Sequence, residues 1–382
     1  MTDAALNGES RVLIRLPQHG KGRVEVDLSA VGDVAGMLAG TTTEEALFLI
    51  PTLFSVCATA QAHAAVTAVE SAMGAEAPRR TQTARQALTA METLREHVLR
   101  IALDWPGFYG GTSRAGDVRA VMQFVRRLQT ALFDDAPAFL NGIEPRSDTA
   151  AALAVCDEAE ALLEREVFSE PPAIWLGRLG RNTMRRWALA AGTPAGNLLA
   201  HVADKGWLDA AAGNGPSAPA SLDDLLAAWR QGGFTCGAGR THPESTSLSR
   251  RAGHPVLEAF GGTGIGARLI ARLVEVASLP GEIRDLIAGT GKAAKALSTR
   301  DGNSVAAVEA ARGRLVHAAE IADGRVVRWG FLPPTNVNFA PGGIAAECLA
   351  QLAADNDGER LGLASLVVNA IDPCVAYDVR MH

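Results

Sequence analysis

The sequence predicts an α+β protein in which helices predominate. The 382-residue chain is 48% hydrophobic but only 5% aromatic, and alanine is abundant, which is typical of helices packed through small side chains. Most long segments repeat apolar residues at helical spacing, whereas two short segments alternate around a glycine-containing turn. A chain of this length buries a sizeable core, and we expect residues 1–382 to form a single domain.

The charge and cysteine content exclude several classes of protein. The 36 basic and 42 acidic residues give a formal charge of −6, which argues against nucleic acid or an anionic membrane as the main partner. The five cysteines are odd in number and scattered, so a disulfide framework is not expected. The first residues carry no secretion signal, and we expect a reduced, cytoplasmic protein.

The stretch at 46–69 carries no charged residue, as a membrane-spanning helix often does. It contains Pro51, Gln61 and His63, and glutamates flank it without a nearby lysine or arginine. A bilayer-spanning helix favours the opposite flanks and fewer polar residues. We therefore expect a buried helix and no insertion into a membrane.

The secondary-structure elements can be assigned in order along the chain. The segment at 11–29 alternates around a glycine-rich turn and predicts a β-hairpin. A helix from about residue 43 to 75 follows, with Thr42 or Thr43 as its N-cap. Helical spacing predicts further helices at 81–103, 116–133, 149–167, 264–298 and 344–353.

Loops and a second hairpin complete the assignment. Loops are predicted near 212–224, where Ser221 caps the next helix, and at 231–253, which is rich in glycine, threonine and serine. The segment at 315–332 predicts a hairpin whose turn is an Asp-Gly pair at 323–324. The regions of the chain are then an N-terminal motif region (12–75), a helical middle (76–300) and a C-terminal motif region (305–382).

Two weaker motifs have simple explanations. The glycine run at 261–269 could cradle a pyrophosphate, but no convincing strand precedes it, so glycines at a helix start are the better interpretation. Cys236 and His242 could be a metal pair or a nucleophile with its base, although their spacing alone is weak evidence. Cys156 and Cys348 lie on apolar helix faces and are expected to be buried thiols.

Cys57 lies in a motif that resembles one from the large subunit of [NiFe] hydrogenases. In that family the N-terminal motif R-x-C-G-x-C-x-x-x-H precedes an alanine-rich helix that ends in A-V-E. Cys57 matches the second cysteine, and residues 68–70 match the A-V-E. Phe54 stands in place of the first cysteine, and Gln61 stands in place of the histidine.

Cys374 lies in a segment that resembles the C-terminal motif of the same family, D-P-C-x-x-C-x-x-H. Asp372, Pro373 and Cys374 match it, whereas Tyr377 replaces the second cysteine and Arg380 replaces the histidine. Only two residues follow, so we expect the cleavable C-terminal extension of family precursors to be absent.

These replacements imply that the chain is not a working hydrogenase. By the resemblance, nickel would retain two thiolates in place of four, too few for its sulfur-rich site. The family motif R-I-E-G-H-G-K occurs here at 15–21, where Pro17 stands in place of a glutamate thought to pass protons. We therefore expect no nickel and no enzymatic activity.

The segments that would surround an iron fragment are retained. Residues 309–317, EAARGRLVH, resemble the family's E-A-P-R-G-x-L-x-H. The match implies that Arg312 lies over the iron and its cyanide ligands, and that Leu315 lines the carbon monoxide pocket. A guanidinium is suited to this role because it forms charge-assisted hydrogen bonds with strong acceptors.

A second retained segment, LPPTNVNFAPGG, resembles the family's P-[ST]-T-W-N. The match implies that Pro334 and Thr335 adjoin the second cyanide, to which Thr335 donates a hydrogen bond. Asp372 would orient these groups around the metal fragment. Candidates for a further iron ligand or hydrogen bond are Gln61, His63, Tyr377 and His382.

Together these features resemble hydrogenase maturation proteins of the HupK/HoxV type, which are truncated relatives of the large subunit. The resemblance implies a helical-bundle core of the large-subunit type, with Cys57 and Cys374 facing each other across a buried cleft. Their thiolates would hold an Fe(CN)2(CO) fragment transiently, before its transfer to the large subunit. The expected partners are a small maturation chaperone of the HypC type and the [NiFe] hydrogenase large subunit.

Two alternatives remain at this stage. A metal-free chaperone would keep Arg312 and Thr335 only because they hold the fold. An unrelated enzyme would use Cys57 as a nucleophile, since a thiol at a helix start can have a lowered pKa. The scaffold needs both Cys57 and Cys374, the chaperone needs neither, and the enzyme needs only Cys57.

Overall fold

The structure, a computed structural model, describes most of the chain and is built mainly from α-helices. It covers residues 11–18, 23–29, 34–54, 56–215, 218–234, 244–354 and 356–382. The predicted α+β class, in which helices predominate, is confirmed. None of the described helices is both long and apolar enough to cross a bilayer.

Helices occupy most of the chain, and strands lie near its beginning and in its last third. In chain order the helices are α1 (Val34–Leu38), α2 (Thr43–Leu53), α3 (Ala58–Ala72), α4 (Arg79–Leu99), α5 (Trp105–Phe108), α6 (Val121–Phe133), α7 (Thr149–Leu163), α8 (Pro172–Trp175), α9 (Arg181–Ala191), α10 (Pro194–Asp204), α11 (Leu222–Arg230), α12 (Ser247–Arg251), α13 (Pro255–Phe260), α14 (Ile265–Ile287), α15 (Pro334–Asn338), α16 (Ile344–Ala350) and α17 (Asp357–Ile371). The strands are β1 (Arg11–Leu16), β2 (Glu25–Ser29), β3 (Lys295–Ser298), β4 (Asn303–Ala310), β5 (Gly313–Ala322), β6 (Arg325–Leu332) and β7 (Ala376–Met381). Two π-helical turns, Arg100–Asp104 and Glu164–Phe168, continue α4 and α7.

The first sheet joins the beginning of the described chain to its end. β1 pairs antiparallel with β2, which confirms the predicted N-terminal hairpin, and β1 also pairs in parallel with β7. Val12, Ile14 and Leu16 alternate along β1 and are all buried, so one face of the strand is fixed against the helical core. The parallel pairing was not predicted, because β7 is short and its partner lies at the other end of the chain.

The second sheet has the order β3-β4-β5-β6, with every neighbouring pair antiparallel. The predicted hairpin at 315–332 is confirmed, since Asp323 and Gly324 connect β5 to β6 with φ angles of 50° and 72°. These left-handed angles suit a two-residue hairpin turn. Strand β3 contradicts the predicted helix through residue 298. The helix ends earlier because Gly289, just after α14, adopts a φ of 79°.

The predicted helix from residue 43 to 75 is in fact two helices, α2 and α3. Thr42 caps α2 in a capping box with Glu45, in agreement with the predicted N-cap. Phe54 is extended, and Cys57 is the N-cap of α3, which packs against β4 and β5. The uncharged apolar sequence gave no sign of this break, yet the break places Cys57 at a helix start.

Several helices lie where the sequence analysis assigned none, among them α9, α10, α12 and α17. α12 falls inside the loop predicted at 231–253, and α17 follows the predicted helix at 344–353, which is confirmed as α16. Residues 366–371 of α17 are all buried, so this end of the helix lacks the polar face that reveals a helix in a sequence. The predicted cap at Ser221 is confirmed by its hydrogen bond from the Asp224 amide.

Helix α14 is the buried centre of the helical region and packs against α4, α7 and α12. At its start, a Cβ added to Gly264 would lie 2.7 Å from the Asp209 backbone, so this close approach requires glycine. Helix α13, not a strand, precedes the glycine run, which confirms its interpretation as helix-start glycines. Cys156 and Cys348 are buried, as predicted.

Candidate functional site

Cys57 occupies the N-cap position of α3, but its side chain makes no capping hydrogen bond. The pKa of its thiol is raised to about 12, first by burial and then by the negative charges of Cys374 and Glu92. The expectation of a lowered pKa is therefore wrong, because these effects outweigh the partial positive charge of the helix start. The free thiol is protonated at neutral pH, which does not suit a nucleophile.

A buried amide and a buried histidine lie beside Cys57. Gln61, one turn further along α3, donates from Nε2 to Cys57 Sγ across 3.7 Å. Its other amide atom, Oε1, lies 2.6 Å from His317 Nε2 on β5. Because Oε1 can only accept, His317 must carry its proton on Nε2. Burial lowers the pKa of His317 to about 3, so the ring is neutral.

Cys374 lies between α17 and β7 and bonds to Thr335 in the first turn of α15. Its backbone N–H donates to Thr335 Oγ1 across 2.9 Å, and its Sγ lies 2.8 Å from the same oxygen. Since the threonine oxygen already accepts from the backbone, its own proton is available to the sulfur. Burial raises the pKa of Cys374, and the hydrogen bond from Thr335 and the charge of Arg312 oppose that rise.

The two cysteines and Arg312 belong to one buried region. A negative charge on Cys374 raises the pKa of Cys57, and the Arg312 guanidinium lowers the pKa of both thiols. Leu315 is buried in a small apolar cluster with Ala60, Ala64, Val308 and Ala310, and Cys57 packs against it. The helix start, the β4–β5 turn and the segment before β7 thus converge.

Arg312 lies in the tight turn between β4 and β5 and is 7% exposed. Its Nη1 donates to Glu96 Oε2 across 2.9 Å, and its Nε lies 3.5 Å from Asp372 Oδ1. The next residue, Gly313, has a φ of 132°, and a Cβ there would lie 2.8 Å from the Pro334 side chain. Glycine therefore lets the turn that carries Arg312 pack directly on the segment that carries Thr335.

Asp372 ends α17 in a left-handed conformation, with a φ of 69°. Its buried carboxylate lies 2.7 Å from Arg100, 3.2 Å from Arg272 and 3.5 Å from Arg312. These three guanidinium groups hold its pKa well below the ordinary range against the opposing effect of burial. The cluster anchors the chain two residues before Cys374.

Helix α4 supplies a group of residues that the sequence analysis missed. We define the α4 charged stripe as Glu92, Arg95, Glu96 and Arg100. Glu92 accepts from the amides of Thr59 and Ala60, Glu96 pairs with Arg312, and Arg100 pairs with Asp372. Charged residues on a helix usually face solvent, but this stripe faces the site. The charged residues of the stripe can be seen in the sequence. Their partners cannot be inferred from it, because they lie far along the chain.

The four residues named as candidates for a further iron ligand or hydrogen bond lie in different parts of the structure. Gln61 contacts Cys57, whereas the Nδ1 atom of His63 bonds to Thr89 and its ring packs on Phe139. His382 bonds to the Leu16 carbonyl at the end of the first sheet. Tyr377 is half-buried, and its pKa is raised by burial against the opposing charge of Arg100, so it lies near the Asp372 cluster.

Several predicted features fall elsewhere or cannot be placed. Phe54, where the family has a cysteine, packs on Phe331 with ring centroids 5.4 Å apart. Residues 19–21 of the N-terminal motif, Cys236 and His242 lie outside the described residues. Within the described ranges, no three or more His, Cys, Asp and Glu side chains are grouped to hold a metal ion. A metal bound to Cys57 and Cys374 would therefore need to bring other ligands with it.

Solved hydrogenase structures have a similar fold. The fold covers 92% of this chain and 92% of a chain of an NAD+-reducing [NiFe]-hydrogenase in the H2-reduced state, with a TM-score of 0.62 at 15% identity. It covers 92% of this chain and 94% of a chain of the Ni-Fe-Se hydrogenase from D. vulgaris Hildenborough, with a TM-score of 0.65 at 14% identity. These similarities confirm the predicted architecture of the [NiFe] hydrogenase large-subunit type.

Curated relatives resemble the chain over nearly its whole length, although no family model matches it. The hydrogenase expression/formation protein HupV of Azotobacter chroococcum is 28% identical over 92% of this chain and 92% of its own. HoxV of Cupriavidus necator is 29% identical over 90% of this chain and 89% of its own. HupK of Bradyrhizobium diazoefficiens is 32% identical over 90% of this chain and 88% of its own. The chain therefore belongs to the HupK family of hydrogenase expression/formation proteins.

Proposed function

We propose that this chain is an assembly scaffold for [NiFe] hydrogenase. It transiently holds the Fe(CN)2(CO) fragment on Cys57 and Cys374 before the fragment passes to the hydrogenase large subunit. The relatives are named as hydrogenase expression/formation proteins, which supports a role in maturation rather than in catalysis. The fragment is cargo, and the proposal includes neither a nickel site nor hydrogenase activity.

The observation that carries the proposal is that each of two half-buried thiols lies within hydrogen-bond distance of a side chain that can donate to it. Gln61 donates to Cys57 Sγ, and the Thr335 hydroxyl lies 2.8 Å from Cys374 Sγ. A thiolate only accepts hydrogen bonds, so donors match it better than they match a thiol. A buried thiolate is costly without a nearby cation. This arrangement suits sulfurs that bind a metal.

The polar groups around the thiols suit cyanide ligands. Arg312 Nε is buried, lies 3.5 Å from Asp372 Oδ1 and makes no hydrogen bond within the described residues, so we assign its unsatisfied N–H to a cyanide nitrogen. The guanidinium also offsets the negative charge that thiolates and cyanides bring into the pocket. Pro334 and Thr335 are assigned to the second cyanide, and Leu315, in the apolar cluster beside Cys57, to carbon monoxide.

The number of protein donors also suits this cargo. An iron that arrives with three diatomic ligands needs few further ligand atoms from the protein. Two thiolates therefore suffice, where a bare metal ion would need more protein ligands. Asp372 holds Arg312 and the segment before Cys374 in place. Gln61 takes part through its hydrogen bond to Cys57, while His63, Tyr377 and His382 are not assigned as ligands.

The raised thiol pKa values support a proposal of transient rather than permanent binding. Each thiol must lose its proton when it binds the metal, so part of the binding free energy is spent on deprotonation. Because the pKa of Cys57 is raised to about 12, this cost is large at neutral pH. Reprotonation of the same thiols favours release, which is what a carrier of cargo requires.

Infrared spectroscopy tests the proposal directly. The protein is purified anaerobically after co-production with the maturation machinery, beside Cys57→Ala and Cys374→Ala. We expect cyanide and carbon monoxide bands in the parent protein and their loss in both variants. Cys348→Ala is the matched control, because Cys348 is a fully buried thiol in the apolar core, and it should keep the bands.

The opposite result would favour the metal-free chaperone. If the parent protein carries no bands, and both cysteine variants still support hydrogenase maturation, the two thiols are not ligands.

For the scaffold, the proposed partners are a small chaperone of the HypC type that delivers the fragment and the large subunit that receives it. The proposed location is the cytoplasm, where cysteines remain reduced.

A further inference from the structure

Helix α3 begins without a cap from its own N-cap residue. The first amides of a helix lack partners within the helix, and an N-cap side chain usually accepts from one of them. Cys57 makes no such hydrogen bond. Instead, Glu92 reaches across from α4, with one carboxylate oxygen 2.9 Å from the Thr59 amide and the other 2.9 Å from the Ala60 amide.

We propose that Glu92 is a positioning residue that caps α3 in place of Cys57 and so leaves the Cys57 sulfur free to bind a ligand. The ligand itself rests on the function proposed above. A residue at an N-cap normally has its side chain turned back toward the helix amides. Because Glu92 occupies these amides, the side chain at position 57 need not turn back toward them.

The surroundings of Glu92 show that the arrangement is built into the core. Glu92 is 2% exposed, so its carboxylate is buried together with the amides that it accepts from. Arg95 lies 3.5 Å from it and also pairs with Glu96, which in turn pairs with Arg312. One face of α4 therefore holds both the start of α3 and Arg312, whose charge acts on both thiols.

A double-mutant cycle on the metal-free protein tests the capping. Glu92→Gln should raise the unfolding equilibrium constant roughly tenfold, because only one amide keeps a good acceptor. In a Cys57→Ser background the serine can cap the helix itself, so the same change should cost clearly less. Equal effects in the two backgrounds would overturn the proposal.

Hydrogen exchange shows whether the effect is local. In Glu92→Gln the amides of Thr59 and Ala60 should exchange at least tenfold faster than in the parent protein. Glu70→Gln is the matched control, because Glu70 is another buried, ion-paired carboxylate, at the other end of α3. That control should leave exchange at residues 59 and 60 unchanged, and unaltered exchange in Glu92→Gln would contradict the proposal.

Cadmium binding reports on the free sulfur, because Cd²⁺ is a soft cation that prefers thiolates. We expect sulfur-to-cadmium charge-transfer absorption in the parent protein and its loss in Cys57→Ala. Glu92→Asp keeps the charge but does not reach the amides, so it should weaken Cd²⁺ binding about tenfold, with Glu70→Asp unchanged. Unchanged affinity in Glu92→Asp, or no absorption in the parent, would overturn the positioning role.

These measurements separate the two proposals. The unfolding, exchange and cadmium experiments use protein without the iron fragment, so they remain valid if the infrared bands are never seen. Conversely, bands that depend on Cys57 and Cys374 would support the scaffold even if Glu92 proves to have no part in positioning Cys57.

Discussion

The two halves of the site hold their cysteines by different physical means. The Cys57 sulfur accepts from the Gln61 amide, which in turn bonds to the neutral His317. Hydrogen bonds from two backbone amides to Glu92 hold the helix start. Before Cys374 the chain is anchored by charge, through a buried carboxylate at Asp372 with three arginines around it. The first half should respond mainly to the loss of individual hydrogen bonds, and the second to the loss of charge.

The reason for the difference lies in the local backbone. Cys57 is attached to a long, well-packed helix, so only its side-chain environment needs to be set. Cys374 lies in an irregular segment between α17 and β7, where no regular hydrogen-bond ladder holds the chain. A buried ion cluster supplies the missing anchor, because its single carboxylate pairs with three guanidinium groups from other parts of the chain.

The largest expected effect comes from Asp372→Asn. Asparagine tolerates the left-handed backbone, so the change removes the charge with little added strain. Leaving the buried Arg272 and Arg312 and the half-buried Arg100 without this partner should lower the free energy of unfolding by about 3–5 kcal/mol in urea titrations near pH 7. Asp209→Asn, at an exposed ion pair with Arg181, is the control and should cost less than about 1 kcal/mol.

The same variant has a predicted pH dependence. The folded-state pKa of Asp372 is lowered, so its contribution to stability is present above the ordinary aspartate pKa and declines as the pH falls below it. The difference between the parent and Asp372→Asn should therefore shrink progressively below about pH 4. A difference that stayed constant with acidification would mean that the carboxylate charge is not what holds the segment before Cys374.

His317→Leu should produce the next largest effect, confined to the Cys57 half. It leaves the buried Gln61 oxygen without its donor, which should cost about 1–3 kcal/mol. Without His317, the Gln61 amide is no longer held in its direction toward Cys57. Any cyanide bands should then shift or broaden, because the hydrogen bond to the Cys57 sulfur is no longer fixed. His63→Leu, another buried neutral histidine, should cost similar stability and leave the bands in place. If the bands shifted in His63→Leu and not in His317→Leu, the hydrogen bond between His317 and Gln61 would not be what orients the amide toward Cys57.

The last comparison is the response of the metal-free protein to alkaline pH, which has no effect near neutral pH and grows only above about pH 9. Folding raises the pKa of Cys57 from 9.0 to about 12, so the folded state keeps a proton that the unfolded state loses. Stability should therefore fall above about pH 9, by at most about 1.4 kcal/mol per pH unit for this thiol. Cys57→Ala should flatten this dependence more than Cys374→Ala, because Thr335 and Arg312 oppose the rise at Cys374.

The fold class, the two hairpins, most of the longest helices and the residues that match the family motifs could be predicted from the sequence alone. These features depend on local periodicity, turn chemistry and short motifs, all of which are written in neighbouring residues. The turn at Asp323 and Gly324 and the cap at Thr42 are examples, since each needs only a few adjacent side chains.

Only the tertiary structure decided how those residues are held. The parallel pairing of β1 with β7, the break before Cys57 and the inward direction of the α4 charged stripe depend on partners far along the chain. The same holds for the pKa of Cys57, which local position would lower but burial raises. Burial and long-range charge arise from packing, and packing cannot be read from a window of neighbouring residues.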